Sequence, residues 1–171
     1  TLINSSMKFK TKKMKILNNF LEKDSFEQLR NIILSSDFPW SYNEYCVDPP
    51  SPQISQFTHA FFWNSIPRES YLVVKTLVER LNPKSIGRVK ANLLLKTQSI
   101  VETGMHKDDQ GEKFTSAIYF LNNNNGYTRI GNEKVYSKEN SIVIFKSNEL
   151  HTGSTCTDAS RRVLINLVYV D

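Results

Sequence analysis

The sequence predicts a mainly β protein, a jelly-roll with two N-terminal helices packed on one sheet. Three observations carry that prediction. From Ile86 onward, short strand-length runs follow one another, each closed by a turn signal, which is the pattern of a sandwich or barrel. Two segments upstream place apolar residues at helical spacing. The 171 residues, 39% hydrophobic and 11% aromatic, suffice for one domain with a proper core.

Taken in order, the chain opens with a basic arm, residues 1–15, followed by a single domain over 16–171. The first helix is expected from Asp24, with Glu27 reaching back in a capping box and Phe26, Leu29, Ile32 and Ile33 on its apolar face. It should stop near Ser36, ahead of Phe38-Pro39. Residues 40–56 hold Pro49-Pro50 and Pro52 and read as an irregular loop. Trp40 and Tyr42 on that loop either rim a binding site or fold back on the core. A strand follows over 56–63. Its His59 either lines the site or is a hydrogen-bonded structural histidine. Pro67 suits the first turn of a second helix, whose stripe is Tyr71, Val74, Leu77, Val78 and Leu81, ended by Asn82-Pro83. Strands are then expected over 87–96, 100–106, 114–121, 127–130, 134–136, 141–145, 150–152 and 162–170. The Asn122–Gly126 run closes on Asn-Gly, a strong turn signal, and Lys138-Glu139-Asn140 marks another turn.

Charge and composition narrow the function classes. The net charge is +5. Lys8, Lys10, Lys12, Lys13 and Lys15 all precede the first acidic residue. Setting these five aside leaves 17 basic residues against 17 acidic ones, so the body is formally neutral. The arm either touches an anionic surface or is a solvated tail. No apolar run approaches the roughly 20 residues of a membrane span, and no secretory leader is visible, so a cytoplasmic protein without a membrane partner is expected. Two distant cysteines, Cys46 and Cys156, form neither a disulfide framework nor a paired-cysteine zinc site.

The chemistry centres on His106-Lys107-Asp108. On a strand, residues i and i+2 share a face, so His106 and Asp108 can reach one ion. One distant histidine would complete a two-His, one-carboxylate triad with open positions, the usual set for non-haem Fe(II) oxygenases. His151, followed by Arg161-Arg162, is the candidate.

Several ordered stretches carry a family resemblance: Arg88–Leu93, His106-Lys107-Asp108, Ser116–Asn122, Asn125–Thr128, Asn140–Phe145, His151–Gly153 and Arg162–Tyr169. Together with Asn19-Phe20-Leu21 and Phe38-Pro39-Trp40, they resemble the 2-oxoglutarate and Fe(II)-dependent oxygenases. Within these, the chain is most similar to small prolyl-4-hydroxylase-like members of bacteria and phages. The resemblance implies a double-stranded β-helix, Fe(II) held by His106, Asp108 and His151, and 2-oxoglutarate as cosubstrate, with ascorbate as a possible reductant. It further implies hydroxylation of a peptidyl proline or a small amino-acid-like molecule, with release of succinate and CO2. Asp108 argues against the halogenase variant, which lacks the carboxylate. The family's cosubstrate anchor opens the strand after the distal histidine. Arg162 is chosen over Arg161 because its face carries Leu164, Asn166 and Val168, while the opposite face is uniformly apolar. Asn92, Phe120 and Asn166 are the further cosubstrate candidates. Phe120 should face the pocket and Tyr119 outward; Thr128 and Lys96 are possible supports. Relatives often place a tyrosine on the strand of Asn92 or the next, at positions comparable to Leu94 or Lys96 and to Phe120 or Tyr119, and this chain departs from them there.

Two other classes stay open. One is a non-catalytic jelly-roll that binds a metal or small ligand. The other is an oxidative nucleic-acid demethylase, against which the neutral body and a missing second downstream arginine both count.

Overall fold

The computed structural model describes residues 14–47, 54–109 and 111–171. They form two sheets. The large one runs, in spatial order, β1 (Met14–Leu17), β9 (Ser141–Lys146), β6 (Phe114–Phe120), β11 (Arg161–Val170), β5 (Ser85–Leu95), β3 (Gln56–Trp63) and β2 (Ser41–Asn43), with β4 (Ile66–Pro67) against β3. The small one is β10 (His151–Gly153), β7 (Tyr127–Ile130) and β8 (Glu133–Tyr136). Neighbouring strands are antiparallel throughout.

Alternation assigns the two faces of the large sheet. Val89, Ala91 and Leu93 of β5, Ala117 and Tyr119 of β6, and Val163, Ile165 and Leu167 of β11 share one apolar cluster. Phe26, Leu29 and Ile33 of α1 (Lys23–Leu34) join it, as do Leu77 and Val78 of α2 (Lys75–Leu81). Burying each valine, leucine, isoleucine or phenylalanine among them contributes about 1.5–3 kcal/mol. On the other face, Ile118, Phe120, Val143, Phe145 and Leu164 meet Ile130 and Val135 of the small sheet. The result is the two-sheet arrangement of a jelly-roll with its helices on one side.

Several expectations are corrected. Met14 and Lys15 belong to β1, paired with Phe145 and Ile144, so the strand begins inside the expected arm; residues 1–13 lie outside the described residues. The helix N-cap is Glu22, with no side-chain cap, rather than an Asp24–Glu27 box. The loop expected over 40–56 contains β2, while 48–53 lie outside the described residues. Pro67 sits in β4; helical structure starts later, as a 3-10 segment at Glu69–Val74. Residues 100–106 make only two isolated bridges, Glu102 to Ser154 and His106 to His151. Gly104, at φ 109, breaks the extended path between them. Tyr119 is fully buried in the helix-side core instead of facing outward.

Asn140 ties the N-terminal segment to this core. Its Oδ1 accepts from Leu21 N–H (2.9 Å) and Tyr119 O–H (2.7 Å), and its Nδ2 donates to Leu21 C=O (2.9 Å). Its backbone lies in the left-handed region, φ 53, which asparagine tolerates better than most residues. Asn140→Ala removes three buried hydrogen bonds and adds backbone strain. The expected loss is about 3 kcal/mol in denaturant unfolding; a loss within that of an exposed control substitution would refute this role.

Candidate metal centre

Backbone pairing, not side-chain attraction, brings the two histidines together. His106 N–H donates to His151 C=O (2.9 Å), and His151 N–H to His106 C=O (3.0 Å). Directly opposed antiparallel residues place their side chains side by side, and the two imidazole rings are 4.4 Å apart. Asp108 is anchored separately, its N–H donating to Ser147 C=O at 3.1 Å. One ligand-type atom from each of His106, Asp108 and His151 lies within 4.8 Å of the others.

The donor chemistry fits a divalent metal. His106 Nδ1 is 3.1 Å from the Gly104 carbonyl, and His151 Nδ1 is 3.0 Å from the Glu149 carbonyl. A carbonyl oxygen only accepts, so each Nδ1 carries a proton, and Nε2 is the ring atom left to ligate. Burial, with His151 beside it, lowers the His106 pKa and favours the neutral ring that ligates.

The Asp108 side chain is 4% exposed, and burial alone would raise its pKa. Arg88, His151 and two side-chain donors outweigh that and hold it at about 2. Arg88 Nη2 donates to Oδ1 at 2.6 Å; Ser116 Oγ and Asn166 Nδ2 donate to Oδ2 at 2.7 and 3.0 Å. Arg88 also donates to Asn166 Oδ1 at 2.8 Å, which closes the network. A register shift in β3 sets Trp63 opposite Arg88, with its ring 5.8 Å from the guanidinium.

The same cavity contains Arg162, Asn92, Thr128, Leu164 and Lys90. Arg162 is 1% exposed. Its Nε donates to Ser137 Oγ (2.7 Å), Nη1 to Ser154 C=O (3.4 Å) and Nη2 to Thr128 Oγ1 (3.0 Å). All three acceptors are neutral, and no carboxylate of the described residues pairs with it. Burial pushes its pKa down to about 10. A buried cation without a counter-ion is costly, and a bound anion would relieve it. Asn92 Oδ1 is likewise buried with no hydrogen-bond partner.

The sequence-predicted residues divide. His106, Asp108, His151, Arg162, Asn92 and Asn166 all line this cavity. Asn166 is bonded to Asp108 and Arg88, so it orients the carboxylate rather than reaching for a cosubstrate. Phe120 does not line the cavity: its ring packs in the second core, 5.6 Å from the Arg162 guanidinium. Arg161 points away and donates to Leu34 C=O (2.8 Å); Lys96 is exposed. Trp40 packs against Phe38 and the helix-side core, which removes it from any rim. His59 bridges Pro39 C=O (2.9 Å) and Ser70 Oγ (2.7 Å) and is structural. Tyr42, 62% exposed, lines an adjoining outer cavity. Sequence reasoning missed Arg88, Ser116 and Lys90. All three share the parity of Asn92 or Phe120 on their strands, a signal that was available.

No protein-family model matches the chain, and no curated protein matches it in sequence. Its fold is that of solved 2-oxoglutarate/Fe(II) oxygenases. One is an oxidoreductase of the 2OG-Fe(II) oxygenase family from Burkholderia pseudomallei, with TM-score 0.64 and 10% identity over 92% of this chain and 85% of that one. A second is a prolyl hydroxylase from Trichoplax adhaerens, in complex with a hypoxia inducible factor peptide fragment: TM-score 0.63, 15% identity, 94% and 84% covered. A third is HygX from Streptomyces hygroscopicus, with nickel and 2-oxoglutarate bound: TM-score 0.62, 9% identity, 95% and 84% covered. The fold is common to all three, and a His-Asp-His group is present in this chain.

Gly126 makes room for Arg162. A Cβ there would lie 2.6 Å from Arg162 Cδ and 2.8 Å from both Asn124 Oδ1 and Thr155 O. Gly131, at φ 57, has nothing within 4 Å of its Cβ position. Gly126→Ala is therefore expected to cost about 2–3 kcal/mol through overpacking, against about 1 kcal/mol of backbone strain for Gly131→Ala. Urea unfolding distinguishes them, and equal losses would remove the contact as the cause.

Proposed function

We propose that this chain is an Fe(II)- and 2-oxoglutarate-dependent dioxygenase that hydroxylates a peptidyl proline or a small amino-acid-like molecule. The observation that carries this reading is one cavity with a convergent His-Asp-His group and a buried arginine that lacks a counter-ion. His106, Asp108 and His151 would hold iron through two neutral nitrogens and one ionised carboxylate oxygen. Arg162 would take the far carboxylate of 2-oxoglutarate, with Thr128 and Ser137 keeping the guanidinium in place. Asn92, whose amide oxygen has no partner, faces the space between them. Bound iron and 2-oxoglutarate would supply the oxidising chemistry, with succinate and CO2 as coproducts. Arg88, Ser116 and Asn166 keep Asp108 ionised and oriented, and Phe145 packs 4.8 Å from the His151 ring on the side of the second core.

The test is anaerobic loading with Fe(II) and 2-oxoglutarate, which should give a visible charge-transfer band, followed by aerobic succinate release with ascorbate as reductant. Iron binding without any succinate would leave a non-catalytic metal-binding jelly-roll in its place. His106→Ala should reduce iron from about one per chain to trace amounts by metal analysis. Arg162→Met should raise the 2-oxoglutarate KM at least tenfold, as expected for about 1.5–3 kcal/mol lost with a charged hydrogen bond. Arg161→Met should change it less than twofold; the opposite ranking would reassign the anchor.

A further inference from the structure

Lys90 occupies the passage between the metal cavity and the outside. It lines both the inner cavity and the outer one beside it, with Cys46 and Gln56 as the other shared residues. The register fixes that position. On β5, Lys90 lies opposite Asn166 of β11, which holds Asp108, and opposite Ala60 of β3, which lines the outer cavity. The outer cavity has a volume of about 750 Å3, in the range of small-molecule sites. Tyr42, Tyr45 and Trp63 supply aromatic wall around it.

No hydrogen bond or ion pair to a described residue engages the Lys90 ammonium. A lysine set inward on a central strand is an incomplete pair when no carboxylate of the described residues bonds to it; Glu44 lines the outer cavity with Lys90 but forms no ion pair with it. The charges around it sharpen the point. Among the described residues, Arg88, Lys90 and Arg162 face or flank the inner cavity against one carboxylate, that of Asp108. A divalent iron and the dianion of 2-oxoglutarate cancel each other, so loading the site leaves the cationic excess unchanged. Arg162 is spoken for by the cosubstrate and Arg88 by Asp108. Lys90 is the cation left over, and it stands where a substrate would enter. Burial, then Arg88, lower its pKa to about 8 against the opposing pull of Asp108, as expected for an ammonium lacking an anion.

We propose that Lys90 is the substrate's anion-binding residue, and that the primary substrate is a small molecule with a free carboxylate, such as an amino acid, rather than an internal peptide residue. This rests on the oxygenase reading above and narrows its substrate class. The carboxylate pairs with Lys90 at the neck of the cavity; the remainder of the molecule lies against the aromatic wall, with the carbon to be hydroxylated directed toward the His-Asp-His group.

The test is a succinate-release screen on the full chain loaded with Fe(II), 2-oxoglutarate and ascorbate. The probes are the free amino acids, their carboxamides, and amidated proline peptides. At least one free acid should raise succinate formation tenfold or more above the no-substrate rate, and its carboxamide should do so less than twofold. In Lys90→Met that preference of acid over amide should collapse to near unity; in Lys90→Arg, which keeps the cation, it should survive. Stimulation by amides or amidated peptides equal to that by acids would overturn the proposal. So would a panel in which no acid stimulates, or a preference retained in Lys90→Met. A rise in the 2-oxoglutarate KM of Lys90→Met matching that of Arg162→Met would reassign Lys90 to the cosubstrate and also overturn it. In each of these cases background succinate without substrate persists in the wild type, so the oxygenase reading stands. Complete absence of succinate would instead overturn that reading itself.

Discussion

Along β11, Val163, Ile165 and Leu167 face the helices, while Arg162, Leu164 and Asn166 face the smaller sheet. A slip of one residue would exchange the two sets, burying a guanidinium among aliphatic side chains and opening leucine onto a polar cleft. β11 is paired on both sides, to β5 and β6, and both neighbours show the same parity. Register is therefore enforced three times over. The positions of Asn92, Ser116 and Arg162 relative to one another follow from it, before any specific contact between their side chains forms.

Within that frame the polar cleft is built around a carboxylate that burial opposes. Asp108 remains ionised because Arg88 and two neutral donors surround it, and Asn166 belongs both to its shell and to that of Arg88. The two histidines need no comparable shell. Their rings are aligned by a backbone bridge and by carbonyls two residues upstream of each. The centre thus draws on two kinds of support: electrostatic for the acid, and main-chain geometry for the imidazoles.

Much of this was readable from the residues alone, for identifiable reasons. The uniformly apolar alternate positions of β11 gave its inward and outward faces, and with them Arg162 over Arg161. The His-x-Asp step and a single later histidine before a paired arginine singled out the three residues that the fold brings within 4.8 Å of one another. The failures have physical causes too. Alternation places Phe120 on the cleft side correctly, but it cannot show that the Arg162 guanidinium lies over that ring. Pro67 has the right φ for a helix start and equally for an edge strand, and pairing with Phe62 decided between them. The capping box at Asp24 went unused because the chain enters the helix already tethered at Phe20 and Leu21 by Asn140. Arg88 and Lys90, charged residues on an otherwise ordinary strand, look like surface positions until the opposing sheet covers that face.

The order of strands has a consequence for how the protein is made. β11 comes last along the chain yet lies at the middle of the large sheet, between β5 and β6. While it is missing, the segments on its two sides have no common partner. A ribosome that has already delivered His106, Asp108 and His151 has still not delivered the strand that joins their surroundings into one sheet. During synthesis the two halves wait, with strand edges and apolar faces uncovered, until β11 emerges to join them.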